Sequence, residues 1–327
     1  MEKEEYSDET LNFKANGKLL LTGEYLVIDG ALALAFPISL GQTLVAQSGN
    51  DNILHWNASD STGKWFESDF SLDHFEVLTS TDSEISNGLK SLFSKAEELN
   101  PEHKIRTGIT VRTHLNYNRL LGAGSSSTLI SLVAALFQAD KYKLHKKVSI
   151  GSGYDVACTD FDHPIIFQRR SADEACIRPV NFMPSYADCL WFAYLGNKQD
   201  TNTEIIKYSN EGKVSLTKEI KEITDITLKL AETKDLTTFV SLIDLHEEIM
   251  GGVLKRKSIK EERFNDFNGS IKSLGAWGGD FILMATGKGE RYISNYLKAH
   301  NIDIIFRFKD LVLNNPVSGN DEIIIRF

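Results

Sequence analysis

Between residues 118 and 140 the chain reads NRLLGAGSSSTLISLVAALFQAD, and its glycines and hydroxyls are spaced as an anion cradle would need. Gly122 and Gly124 permit positive φ and close backbone approach, while Ser125, Ser126 and Ser127 bring hydroxyls to the start of the helix that follows. Unpaired N–H groups and the helix dipole favour an anion at such a start, and a nucleotide phosphate fits that description. No GK[ST] follows the glycines and the loop is not GxGxxG, so it is neither a Walker A loop nor a dinucleotide fingerprint. A turn that simply caps a core helix would read the same way.

Three further groups could carry chemistry. Lys18, Glu24 and Tyr25 are polar residues within the apolar stretch 13–47, and Lys18 and Glu24 lie six apart and so share a face of one strand. Alternation onto a solvated face gives the same pattern. The segment GSGYDVACTDF, 151–161, predicts a tight turn presenting Asp155 on a following helix or strand, as a reacting group or as a helix cap. Arg169 and Arg170 end the strand-like PIIFQRR, where adjacent arginines mark either a solvated edge or a fork for a substrate phosphate. Alternation lets only one of them face a site. His246, between Leu245 and Glu247 in a helical pattern, reads as structural.

These residues need elements to hold them. Leu129, Leu132, Val133, Leu136 and Phe137 repeat at helical spacing after the glycine loop and predict an amphipathic helix anchored in a core. Asp29-Gly30 predicts a β-hairpin turn within 13–47. Residues 41–80 read as strands with Leu54, Trp56, Trp65 and Phe66 as anchors around a turn at 59–63, followed by a helix over 83–99 and a strand over 105–115. A second unit begins near Met183 with the buried strand 189–196 and a polar turn in 196–204. Helices follow over 216–232, 235–253, with Phe239, Leu242, Leu245, Ile249 and Val253 on one side, and 259–273. Gly275, Gly278 and Gly279 then break the chain before a strand, a helix near 288–299, a strand at 302–308 and a last strand at IIIRF. This order predicts an α+β sandwich with helices on one face of an antiparallel sheet.

Bulk composition excludes several partners. The 327 residues are 42% hydrophobic and 25% charged, as in a soluble globular protein of two ordinary domains. With 36 Lys plus Arg against 45 Asp plus Glu the net charge is −9, which disfavours nucleic acid and requires any anionic substrate to meet locally concentrated cations. Cys158, Cys176 and Cys189 are odd in number and lack paired metal-ligand spacing, which predicts a reducing compartment without structural zinc. The first ten residues are polar and acidic, and no apolar run reaches membrane-spanning length, so the expectation is a cytoplasmic protein, monomeric or homodimeric, with no membrane partner.

Three stretches together resemble the GHMP small-molecule kinases, the family of galactokinase, homoserine kinase, mevalonate kinase and phosphomevalonate kinase. ANGKLLLTGEYLVI is similar to the family's first motif, NRLLGAGSSST to its second and SLGAWGGDFIL to its glycine-rich third, in the family's order. GSGYDVA resembles the GSGFDVA of phosphomevalonate kinases, and GAWGGD resembles their GAGGGD. The turn GNKQDT is similar to their segment after the first strand of the second domain.

The resemblance implies an α+β, two-domain fold: an ATP-binding domain like ribosomal protein S5 domain 2 over 1–180 and a ferredoxin-like domain over 181–327. It implies ATP and Mg²⁺ as cofactors and a small-molecule acceptor, phosphomevalonate first, with mevalonate or a sugar as alternatives and an inactive nucleotide-binding protein as the alternative of another class. Lys18 would balance charge near the transferring phosphoryl group, and Asp155 would take the acceptor's proton or orient its oxygen. Gly122, Ala123, Gly124, Ser125, Ser126 and Ser127 would hold ATP, with Ser126 reaching the metal. Glu24, Tyr25, Arg169 and Arg170 would meet the acceptor, and Gly275, Gly278 and Gly279 would close the site. The sequence departs from the pattern in four places. Asn118 stands for a proline, Ala123 for a leucine and Trp277 for a glycine, and only 28 residues separate Ser126 from Asp155. That shortens the helix that brings a metal-binding glutamate. Asp140, the only acidic residue in the interval, either substitutes or leaves the metal to ATP and water.

Overall fold

A computed structural model describes residues 10–196, 201–210, 215–277, 281–317 and 321–327. In chain order its elements are β1 (Thr10–Leu20), β2 (Ala33–Ser48), β3 (Ile53–Asp60), β4 (Gly63–Ser71), β5 (Val77–Ser80), α1 (Ser83–Leu99), β6 (Ile109–Leu115), α2 (Ser125–Leu136), α3 (Lys141–Val148) and α4 (Tyr154–Cys158). They continue with β7 (Ile165–Arg169), β8 (Glu174–Pro179), β9 (Leu190–Tyr194), α5 (Thr201–Asn210), α6 (Thr217–Glu232), α7 (Leu236–Leu254), α8 (Ile259–Arg263), β10 (Ser270–Leu274), β11 (Phe281–Ala285), α9 (Glu290–Ala299), β12 (Ile305–Arg307), α10 (Phe308–Leu311) and β13 (Ile323–Arg326). The fold is α+β. Two compact units divide it: residues 1–17, 40–119 and 123–149 form one, and residues 18–39, 120–122 and 150–327 form the other.

In the first unit β3 pairs antiparallel with β4 and parallel with β6, β5 extends the sheet beyond β4, and residues 42–48 of β2 run antiparallel to β6. α1 starts where Asp82 accepts hydrogen bonds from the Glu84 and Ile85 N–H groups, a side-chain N-cap, and it buries Leu89, Leu92, Phe93 and Ala96. Phe93 is the hub of an aromatic core, with ring centroids 5.3 Å from Trp56, 5.3 Å from Phe70, 5.5 Å from Phe75 and 5.9 Å from Phe137. α2 departs from the amphipathic stripe read in the sequence. It is buried on nearly every side, Thr128, Ile130 and Ser131 included, while Leu129 is half-exposed. A helix at the centre of a unit needs no solvated face.

In the second unit, residues 33–35 of β2 pair with β7, β7 with β8, and β8 with β13, all antiparallel. A separate antiparallel sheet has the order β10-β11-β9-β12. Numbered within that sheet the order is second, third, first, fourth, which is the ferredoxin-like arrangement.

Three expectations fail locally. β1 does pair with β2, but Asp29-Gly30 is not a two-residue hairpin turn: Leu26–Asp29 is a 3-10 helix and Gly30, at φ 100°, caps its end. Asp-Gly suits positive φ at a helix end as well as in a hairpin. The helix read over 259–273 stops at Arg263; Gly269 at φ 146° turns the chain, and residues 270–274 form a strand. α7 buries Phe239, Ile243, His246, Glu247 and Met250, whereas Leu245 is 45% exposed, so its inner face is not the apolar one expected. No helix among the described residues is long and apolar enough to cross a membrane.

Candidate active site

The glycine loop has the backbone that its sequence requires. Gly122 lies at φ 68° and Gly124 at φ 98°, the latter as the N-cap of α2. Since a glycine cap has no side chain to accept from the first turn, those N–H groups remain oriented toward the loop. The hydroxyls divide their tasks. Ser127 Oγ donates to the Gly124 carbonyl at 2.8 Å, and Thr128 Oγ1 contacts Gln42 Oε1 at 2.8 Å and the Ser125 carbonyl at 3.0 Å, locking the helix start. Ser126 is exposed and Ser125 half-buried, so those two present hydroxyls outward.

Just before the loop lies a group the sequence reading missed. Asp60 Oδ2 accepts from the Arg119 N–H at 3.1 Å, and the Arg119 guanidinium sits 4.5 Å from the centre of the Trp65 ring. Burial pushes the Asp60 carboxyl up, but the Thr62 hydrogen bonds and Arg119 outweigh it and hold the pKa below the ordinary value. The signal was available in Asn118-Arg119 preceding the glycines, but nothing local tied it to Trp65.

Asp140 is corrected as a metal ligand. Its Oδ1 accepts from the Tyr142 and Lys143 N–H groups at 2.9 and 3.1 Å, making it the N-cap of α3. Ser126 opens α2 and Asp140 follows its far end, a separation of roughly 15–20 Å at 1.5 Å per residue. One ion cannot bind both. Among the described residues no cluster of three or more His, Cys, Asp or Glu has metal-binding geometry.

In the second unit the structure brings Lys18, Tyr154 and Asp155 together. Gly153, at φ 91°, is the N-cap of α4, so Asp155 occupies the first turn and is not the cap. Lys18, half-buried near the end of β1, places its Nζ 5.5 Å from the centre of the Tyr154 ring. Burial pushes the Tyr154 hydroxyl up to about 12, against the pull of Lys18 and helped by the charge of Asp155. Tyr154 was therefore a missed member of the group. Its signal lay in the motif GSGYDVA, where tyrosine adds a hydroxyl to the phenylalanine of GSGFDVA.

Glu24 does not share a strand face with Lys18. It lies beyond the end of β1, is 1% exposed, and meets Lys272 Nζ at 2.5 Å and His246 Nε2 at 3.3 Å. Burial pushes the Glu24 carboxyl up, yet Lys272 and His246 more than offset it and its pKa lies below the ordinary value. Lys272 likewise has a raised pKa: burial lowers it, but Glu24 and Glu247 prevail. Tyr25 is buried at φ 60°, and its hydroxyl donates to the Ala276 carbonyl at 2.8 Å. Burial, with Glu204 and Glu24 adding to it, pushes that hydroxyl far up.

Arg169 and Arg170 do not form a fork. Arg169 Nε donates to the Ser171 carbonyl at 3.2 Å and its guanidinium lies 5.8 Å from the Phe327 ring, while Arg170 pairs with Glu322 at 2.8 Å. Both secure the β7–β8 turn and the last strand. Gly275 follows β10 at φ 74°, and Trp277, buried, takes φ 54°. Gly278 and Gly279 lie outside the described residues, as do residues 197–200 of the GNKQDT turn.

The two-unit α+β architecture, with its glycine loop and ferredoxin-like sheet, is the fold of the GHMP-type small-molecule kinases. The chain is similar to Streptococcus pneumoniae phosphomevalonate kinase in complex with phosphomevalonate and AMPPNP (TM-score 0.68, 15% identity, covering 91% of this chain and 99% of that one). It is also similar to Methanococcus jannaschii mevalonate kinase (0.67, 15%, 95% and 100%) and to Lactococcus lactis galactokinase complexed with galactose (0.66, 15%, 94% and 94%). No family model and no curated protein matches the sequence.

Proposed function

We propose that this protein is a GHMP-family kinase that transfers the terminal phosphoryl group of ATP to a small-molecule acceptor, with phosphomevalonate as first candidate. The observation that carries the reading is the gathering of Lys18, Tyr154 and Asp155 in a chain that has this fold and this glycine loop. In this reading the first-turn N–H groups of α2 and the exposed Ser126 hydroxyl hold the phosphates. The Lys18 ammonium counters charge on the transferring group, Tyr154 steadies Lys18, and Asp155 orients the acceptor oxygen and takes its proton where it has one. Positive-φ glycines and an exposed hydroxyl at a helix start suit ATP. For Mg²⁺ this chain offers the Ser126 hydroxyl, which fits an ion held otherwise by phosphate oxygens and water and supplies charge neutralisation there. As functional regions, which cut across the two compact units, we assign 1–180 to ATP and 181–327 to the ferredoxin-like part. A cytoplasmic location belongs to the same reading.

An unphosphorylated acceptor, mevalonate or a sugar, is the second reading. It is favoured by the engagement of Arg169 and Arg170 elsewhere, since a second phosphate needs cations of its own. The test is steady-state ATP turnover by purified protein with phosphomevalonate, mevalonate, galactose and homoserine. Turnover with one of them identifies the acceptor. Binding of ATP by calorimetry without turnover of any would make the chain a nucleotide-binding protein that has lost catalysis.

A further inference from the structure

Lys272 stands in the middle of β10, a five-residue strand that is buried throughout, and is itself 0% exposed. Its ammonium has three donors and the structure gives it three acceptors: Glu24 Oε1 at 2.5 Å, Glu247 Oε1 at 3.1 Å and the Ser273 carbonyl at 3.0 Å. Glu247 also accepts from the Ser273 N–H at 3.2 Å, so α7 and β10 are tied by a closed ring of bonds. Glu24 reaches this ring from a point 248 residues earlier in the chain. A buried ion cluster is poor value for stability, because well-packed apolar side chains of the same volume do as well or better. What it does supply is a fixed relative position.

Two ties connect that position to the third glycine motif. Glu24 holds Lys272, and the next residue, Tyr25, donates to the carbonyl of Ala276, four residues after Lys272. The turn carrying both is closely packed: even a Cβ at Gly23 would come within 2.8 Å of the Leu32 carbonyl. We propose that Lys272 is a positioning residue that clamps the Gly23–Tyr25 turn to the start of the 275–277 loop and so sets the acceptor-facing backbone. The functional part rests on the reading of these residues as acceptor-contacting; the clamp itself does not.

The test is hydrogen exchange by mass spectrometry on the full chain, wild type against Lys272→Met. Breaking one partner of a buried ionic cluster should accelerate exchange about tenfold or more in peptides covering 21–31 and 270–277. Peptides covering β9 and α1 should stay within about twofold, which sets local release apart from global loss of stability. Wherever an acceptor is turned over, its KM should rise in Lys272→Met while the KM for ATP holds within about twofold. Unchanged exchange at 21–31 and 270–277, or equal acceleration of β9, overturns the clamp. An acceptor KM that stays put despite local release overturns the functional part alone. Should Lys272→Met fail to fold, Tyr25→Phe decides: loss of one buried hydrogen bond should raise exchange at 275–277 about threefold to tenfold, and no change there overturns the proposal.

Discussion

Replacing Asp155 by asparagine separates catalysis from architecture, because the two side chains have nearly the same shape and differ in charge and basicity. Asp155 sits in the first turn of α4, the N-cap being Gly153, so no capping bond of the kind that costs about 1 kcal/mol is at stake. The charge of a carboxylate near a short helix start is worth about 0.3–1 kcal/mol. For a unit of this size that lowers the thermal midpoint by no more than about 4 °C. The catalytic term is larger. A positioned general base contributes about 10²- to 10⁴-fold, and the neighbouring Lys18 and Tyr154 give Asp155 a polar environment in which to act. Asp155→Asn should therefore lower kcat by at least about a hundredfold for an alcohol acceptor and leave ATP affinity within about twofold. With a phosphate acceptor, whose oxygen is already ionised near neutral pH, the loss should be smaller. The assays are steady-state kinetics, calorimetry with ATP and a melting curve. A variant that unfolds, or that keeps wild-type kcat with an alcohol acceptor, refutes the assignment of Asp155 as the base.

Gly124→Ala should weaken ATP binding and cost about 1–2 kcal/mol of stability, since alanine is strained at φ 98°; calorimetry and a denaturant titration read the two effects. Arg169→Ala and Arg170→Ala should both leave the acceptor KM within about twofold, because each arginine is bound to its own hairpin or to Glu322; a rise of tenfold or more in either returns that arginine to the acceptor site. His55 lies between Asp51 and Asp69 at 2.9 and 2.7 Å, and those hydrogen bonds raise its pKa above the ordinary 6.5. Its contribution to stability is thus fully present below that value and is lost as pH rises through the raised one. Melting curves should show the wild type losing more stability than His55→Gln on that rise, and parallel curves would remove the argument.

The motifs were legible because they are local. Gly122, Gly124 and Gly153 are conformational requirements that a short window displays, and all three adopt the positive φ that glycine permits. α1 was read at its observed limits because its apolar period and the proline beyond it are properties of seventeen neighbouring residues. The α+β class followed from the order of such elements, while the two-domain arrangement came from the family resemblance. What only tertiary structure decided was the partner of each charge. Glu24 looked like a solvated strand residue and His246 like a lone structural histidine, yet both meet Lys272, which no motif singled out, in one buried cluster. Periodicity reports whether a position faces the interior, and it assumes that interiors are apolar; a buried ion set inverts the pattern, so the inner face of α7 was misread, and β10 was read as the end of a helix. Asp140 and the two arginines failed for the complementary reason. Their types suited a metal and a phosphate, but chain geometry placed acceptors and donors beside them that no spacing in the sequence could show.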